Sequence, residues 1–243
     1  MGVTAFAQTP AGAQRKPRVS GFSSVDYQKI EALRPDLVIT FSDVQAEASR
    51  ELIRRGYPVV ATNQRSLEEI FATVQMLGRI VGREAAARRL AARMTSALAP
   101  TAGARRRPAV YFEEWNDPLI SGVGWVGEMI ERAGGRDIFP ELRNRGRAPD
   151  RVVSSEEVVR RQPDIIIASW CGKKARLDQI RNRPGWDSIP AVSADRIYEI
   201  DSNLILQPGP SLAAGMRELR RIIGAFGPTR VPRKSLGRYI AER

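Results

Sequence analysis

At 243 residues, 42% of them hydrophobic, the chain is long enough for one large domain or two small ones with real cores. Its 39 Lys and Arg against 27 Asp and Glu give a formal charge of +12, while histidine is absent and cysteine occurs once. Zinc and non-haem iron sites lean on imidazole or clustered thiolates, and Ser/His/Asp and Cys/His nucleophiles need a histidine, so the composition argues against a protein-built metal site and against those catalytic classes. A basic balance can mark nucleic acid or an anionic membrane. Here the arginines are scattered along helical segments without interleaved aromatics, so no nucleic-acid partner is expected. No stretch approaches the roughly 20 apolar residues of a transmembrane helix. The start, "MGVTAFAQTPAGAQRKPRVSG", lacks a charged region followed by a long apolar one, so the chain as written is expected to be soluble and unexported.

In chain order, Ser23 and Ser24 can cap a helix running to Arg34, with Asp26 in its first turn and Pro35 ending it. "DLVITF" (36–41) is a β-branched run bounded on both sides and predicts a buried strand. Ser42 with Gln45 reads as a capping box opening a helix that ends at Gly56, and "YPVVAT" (57–62) follows as the next strand. Helix and strand in alternation imply a parallel sheet with helices on its faces. The stretch 66–100 opens on a capping box, Ser66 with Glu69, carries apolar residues at helical spacing and stops at Pro100. Taken as one helix it would run ~50 Å, a stiff strut weakened only slightly by Gly78 and Gly82. Beyond it, "VSSEEVVRRQPDIII" (153–167) repeats the pattern of "VDYQKIEALRPDLVI" (25–39): a helix ending in Pro-Asp, then an apolar strand. That spacing suits two similar lobes better than a solenoid.

Two small α/β lobes joined by a long helix, carried by "VSGFSSVDYQKIEALRPDLVI", "SLEEI" with "LGRIVGREAAA", "LISGVGWVGEMIERAGGRDIF" and "VSSEEVVRRQPDIII" in that order, resemble the substrate-binding proteins of ABC importers for vitamin B12, haem and iron–siderophore complexes. "VYFEEWNDPLISGVGW", "SWCGKK" and "ILQPGP" further resemble a cobalamin-binding-like bacterial subgroup. The resemblance implies an α/β fold of two small parallel-sheet lobes joined by one long rigid helix, with a ligand cleft between them. Its parts would be an N-terminal lobe over 1–65, the connecting helix over 66–99, a C-terminal lobe over 100–227 and a basic tail over 228–243. It also implies that the first lobe lacks the opening β–α unit of its relatives. The expected cargo is cobalamin or another metal chelate, with no built-in cofactor, no catalytic residue, a periplasmic location and an ABC permease as partner. The family presents to its permease a carboxylate at the start of the helix before each Pro-Asp strand. Glu156 matches in the second lobe; Gln28 stands there in the first, with Asp26 as a substitute. Two alternatives remain open: a cytosolic chelate handler of the same fold, and a chelatase-like enzyme, against which the missing histidines count.

Ligands of open α/β sheets bind beyond the carboxyl ends of the strands. That rule selects Phe41, Ser42 and Asp43, then Asn63 and Gln64, in the first lobe; it selects Glu114, Trp115, Trp170, Cys171, Lys173, Leu206 and Gln207 in the second. Aromatic faces suit the body of a corrin and amides and ammonium groups its rim. Glu113 and Glu114 alternate along a strand, so at most one faces the cleft, and Glu114 lies nearer the strand end. Trp170 is the expected contact in "SWCGKK"; Cys171 reads as a small apolar filler unless Lys173 and Lys174 depress its pKa. Trp186 reads as a packing anchor, and Trp125 as either core or platform.

Overall fold

The computed structural model describes residues 1–8, 10–101 and 107–226; the basic tail over 228–243 lies outside them. In the first lobe, β1 (Val3–Thr4) pairs in parallel with β2 (Arg18–Ser20), and β3 (Val38–Phe41) pairs in parallel with β4 (Val59–Thr62). These are two separate two-stranded sheets. Helix α1 (Tyr27–Leu33) is capped by Asp26, whose carboxylate accepts the Lys29 N–H at 3.0 Å, and not by Ser23 or Ser24. The capping box expected at Ser42 does not form. Ser42 Oγ accepts from Val44 N, whereas Gln45 turns back so that its Oε1 accepts the Phe41 N–H at 2.9 Å. A short 3-10 turn therefore precedes α2 (Ala46–Arg54), and Gly56, at φ +83°, ends that helix as expected.

The connection between the lobes corrects the single strut. Ser66 and Glu69 do form a capping box, but α3 (Leu67–Ile80) stops at Val81, and α4 (Glu84–Ala97) runs back along it. Both glycines make that reversal possible. Gly82 takes the left-handed conformation at φ +65°, and a Cβ on Gly78 would come within 2.1 Å of the Ala87 Cβ, so the two helices touch where Gly78 has no side chain. Leu67 and Ile70 of α3, with Met94 and Leu98, are buried in the same apolar cluster as the helices of the second lobe. The hairpin is thereby seated on that lobe.

The second lobe is built on one continuous sheet. β5 (Ala109–Asn116) lies at its centre, with β8 (Ile165–Ala168) and then β9 (Ile197–Glu199) parallel on one side. On its other edge, β7 (Arg136–Asp137) pairs in parallel with the start of β5, and β6 (Leu119–Ser121) pairs antiparallel with its end, so the sheet is mixed and not wholly parallel. Alternation along β5 sends Val110 and Phe112 into one apolar cluster and Tyr111 into another on the opposite face. The first is closed by α5 (Gly124–Arg132) and α10 (Leu212–Gly224); the second contains Val158 of α6 (Ser155–Arg161) and Ile180 of α7 (Leu177–Arg181). Two short helices, α8 (Pro190–Ser193) and α9 (Ser202–Ile205), flank β9.

The sequence repeat has a structural counterpart. Helices α1 and α6 both end in a left-handed residue, Arg34 at φ 42° and Gln162 at φ 47°, followed by Pro-Asp and then by β3 or β8. In each, the N–H of that residue closes the last turn onto a carbonyl three residues back, Glu31 or Val159.

Candidate functional site

The carboxyl end of β3 opens into a cavity of about 1130 Å³ bounded by both first-lobe sheets, by α3 and by the rim of the second lobe. Of the residues selected from the sequence, Phe41, Ser42, Gln64, Cys171, Leu206 and Gln207 line it. Asp43, Asn63, Glu114, Trp115, Trp170 and Lys173 do not. Its mouth joins the two lobes. Gln207 Nε2 donates to the Phe6 carbonyl and to Asn203 Oδ1, both at 3.0 Å, and a Cβ on Gly172, which sits at φ +74°, would meet the Phe6 ring at 3.6 Å. Phe6 in turn meets the Phe22 ring edge-on, with centroids 6.2 Å apart. Deeper, Phe41 faces Trp125 of the second lobe at 6.5 Å, with the Arg65 guanidinium 5.8 Å from the Phe41 ring. Gln64 is 7% exposed, and its Oε1 has no hydrogen-bond partner among the described residues.

The remaining candidates are engaged elsewhere. Asp43 accepts from Arg65 at 2.8 Å, and the same guanidinium nitrogen reaches Asn63 Oδ1 at 2.8 Å, which pins the two strand-end loops of the first lobe together. Glu114, expected at the cleft, accepts twice from Arg151, at 2.7 and 3.1 Å, and once from the Val123 N–H. Glu113 is wholly buried and receives both nitrogens of the Arg183 fork and the Trp170 indole N–H at 3.0 Å. Trp170, expected as the leading contact, is therefore core: it is 2% exposed and sits in the cluster around Tyr111. Buried carboxylates persist only when their charge is matched and their lone pairs are bonded, and each of these has its own arginine. Both arginines arrive from distant segments, which is why alternation along β5 alone placed Glu114 at the cleft.

The "SWCGKK" lip divides the same way. The Lys173 ammonium sits 3.9 Å above the Trp115 ring and donates to Asn116 Oδ1 at 3.0 Å, while the Trp115 indole N–H bonds the Asp117 carbonyl. Lys173 is thus engaged by Trp115 and Asn116, with the Trp170 ring 5.0 Å from its ammonium. Burial pushes the Cys171 thiol above its ordinary pKa and the Glu114 carboxylate adds to this, opposite to the activation that two nearby lysines suggested. Cys171 reaches the mouth as a small protonated side chain. Trp125 is buried and donates its indole N–H to the Ile205 carbonyl at 2.9 Å, and Trp186 is buried with its N–H on Ser155 Oγ at 2.7 Å. Phe6, Phe22 and Asn203 line the cavity although sequence reasoning did not select them. Phe6 and Phe22 lie in the irregular first stretch, where no periodicity marks a strand end.

The described residues contain no cluster of His, Cys, Asp and Glu able to hold a metal ion. Among the residues lining the cavity only Arg34 and Asp36 have charged side chains, in a chain of formal charge +12. Its walls can hold a large apolar body and offer amide groups to a polar rim.

Comparison with known proteins agrees with this architecture. Over 240 residues the chain is 28% identical to an uncharacterized ABC transporter substrate-binding lipoprotein of Bacillus subtilis, covering 92% of this chain and 72% of that one. Over 218 residues it is 27% identical to a vitamin B12-binding protein of Vibrio campbellii, covering 85% and 74%. A crystal structure of a possible iron-binding, periplasmic solute-binding protein from Staphylococcus epidermidis superposes with a TM-score of 0.74 at 22% identity, over 92% of this chain and 89% of the other. The periplasmic binding protein family matches residues 1–204. With that match over most of its length, the chain belongs to the periplasmic binding protein family and is a substrate-binding protein of the ABC-importer kind.

Proposed function

We propose that this protein captures a corrinoid, with cobalamin the foremost candidate, or a similar metal chelate, and delivers it to an ABC permease. What supports this is the lining of the cleft: aromatic rings from Phe6 and Phe41, amides from Gln64, Asn203 and Gln207, and almost no charge, around about 1130 Å³. That volume exceeds the usual ~300–1,000 Å³ of small-molecule sites and leaves room for a ligand the size of a corrin. A chelate that brings its metal already saturated asks nothing of the histidines this chain lacks. Periplasmic action, in keeping with the family, is part of the same proposal; no described helix is long and apolar enough to cross a membrane.

Docking is assigned to the starts of α6 and α1. Glu156 is exposed in the first turn of α6, and backbone N–H and Ser154 hydrogen bonds hold its carboxyl below the usual range, so it is charged at neutral pH. In the first lobe, Gln28 is exposed and Asp26 is tied to Lys29 at 2.9 Å. That asymmetry favours a second reading, a chelate handler with no permease, in which Glu156→Ala changes no transport.

The test is equilibrium binding of cobalamin, read as corrin absorbance that travels with the folded protein through gel filtration. Co-elution that falls about tenfold or more in affinity for Phe6→Ala and not for Trp115→Ala is the expected result. Folded protein with the colour eluting separately would remove the corrinoid assignment.

A further inference from the structure

Charge is unevenly shared among the helices. α1, α2, α6 and α7 each balance their Lys and Arg with Asp and Glu, and α3 and α5 each carry one acidic residue in excess. α4 and α10 depart from that pattern. α4 holds Arg88, Arg89 and Arg93 against Glu84, and α10 holds Arg217, Arg220 and Arg221 against Glu218. An arginine-rich composition alone would spread the excess over every helix. Here it falls on two that lie side by side. Met94 of α4 shares one apolar cluster with Leu219 and Ile223 of α10, and Arg220 Nη2 donates at 2.6 Å to the Ala99 carbonyl, just past the end of α4.

The outward faces of the pair are built alike. Both glutamates are used within their own helices, Glu84 on Arg88 at 2.7 Å and Glu218 on Arg221 at 2.9 Å. Arg89, Arg93 and Arg217 are exposed and have no carboxylate partner among the described residues. The other exposed positions inside α4 are Ala85, Ala86, Ala92, Thr95 and Ser96, all short side chains. Each helix runs ~20 Å, so long guanidinium arms rise from a low strip that a flat surface can approach along its whole length. Neither helix contains an aromatic residue on which the bases of a single-stranded nucleic acid would stack. Arginines among short neighbours instead suit a plane of phosphate groups.

We propose that the α4–α10 face binds the anionic phospholipid surface of a membrane, with Arg89, Arg93, Arg217 and Arg221 on headgroup phosphates. A guanidinium fork pairs with phosphate oxygens two at a time, and an anionic bilayer attracts basic residues that come within about a Debye length, ~10 Å at 0.1 M salt. α10 closes one face of the second lobe's sheet, while α6, with Glu156 in its first turn, covers the other. The lipid face and the docking carboxylate therefore lie on opposite sides of that sheet. No residue of α4 or α10 lines the cleft, so contact with lipid leaves the cargo site open. A protein held this way searches for its permease across a surface and not through a volume.

The test is co-sedimentation of the full protein with vesicles of phosphatidylglycerol and phosphatidylcholine in equal parts. At low salt the protein should pellet with them. It should stay in solution with phosphatidylcholine alone, or at ~1 M salt, where the Debye length falls to ~3 Å. Arg89→Gln, Arg93→Gln, Arg217→Gln and Arg221→Gln made together should weaken partitioning by about a hundredfold, since each basic residue near an anionic surface contributes about fivefold. Lys16→Gln, Arg54→Gln, Arg145→Gln and Lys174→Gln, exposed residues away from both helices, lower the net charge equally and should weaken it by less than about tenfold. Circular dichroism checks that both variants fold, and Arg93→Glu alone should weaken partitioning by about twentyfold. Equal losses from the two sets would overturn the proposal, because attraction would then follow net charge and not this face. So would failure to pellet with anionic vesicles at low salt, or preference of the same four arginines for a DNA duplex in competition with the vesicles. Cobalamin binding is read separately, so failure of the corrinoid assignment leaves this result unaffected.

Discussion

The two lobes share a helix–Pro-Asp–strand signature and differ in what surrounds it. In the second, β8 is flanked on both sides, and two apolar clusters cover the two faces of the sheet. In the first, β3 has one partner, and the buried apolar side chains of that lobe before the hairpin are Ile30, Ala48 and Leu52. The same local sequence pattern therefore yields a closed core in one place and a cavity wall in the other. What decides is the central strand: it unites its neighbours into one surface wide enough to bury helices on both sides. The hairpin of α3 and α4 accentuates the contrast, because its buried residues join the second lobe's cluster and leave Ile80 and Val81 facing the first.

That contrast can be broken most severely in the second lobe. Arg183→Ala strands the Glu113 carboxylate in the core without its counter-charge, and a loss of about 3–5 kcal/mol is expected from the urea midpoint. Trp170→Ala should cost a similar ~3–5 kcal/mol by emptying a core position, and once corrected for the unfolded fraction it should leave cobalamin affinity unchanged. A selective loss of affinity at unchanged stability would return Trp170 to the cleft. In the first lobe, Leu52→Ala should cost about 2–3 kcal/mol, the low end for a buried leucine, since its side chain already borders open space. Gly78→Ala tests the hairpin: with the new Cβ driven against Ala87, a loss of about 1–3 kcal/mol is expected, whereas a single straight helix would gain from the same change.

The smallest effect concerns Cys171. Its folded-state pKa is raised, so the thiol stays protonated at pH 8 and its alkylation should be slower than that of a free thiol at that pH. The rate should climb as pH passes the raised pKa, and bound cobalamin should slow it further because Cys171 lines the mouth. Rapid alkylation at neutral pH would mean that the lysines govern the thiol after all.

Local signals carried much of this architecture. The capping box at Ser66, the Pro-Asp repeats and the β-branched runs of β3, β4 and β8 are set by residues close in the chain, and they were readable for that reason. The hairpin turn was less so. Gly78 and Gly82 fit a helix at modest cost, and only contact with Ala87 shows why the chain turns back. The rule that ligands lie at strand ends led by topology to Phe41, Ser42, Gln64 and Gln207, which line the cavity. It was obscured wherever a side chain's partner comes from far away: Arg183 and Arg151 claim Glu113 and Glu114, and Glu113 then claims Trp170. Phe6 was hidden for the complementary reason, since nothing within its own stretch announces that Gln207 will hold it at the mouth.

Native-state amide hydrogen exchange, mapped with and without cobalamin, tests the account most directly. Free protein should show first-lobe amides exchanging on the order of a hundredfold faster than those of β5 and β8, in keeping with the sparse core around β3. Added cobalamin should slow exchange in the segments around Phe41–Gln45, Gly172 and Asn203–Gln207, and leave the Trp115–Lys173 lip unchanged. Equal protection of the two lobes in free protein, or cobalamin protection confined to the Trp115–Lys173 lip, would contradict it.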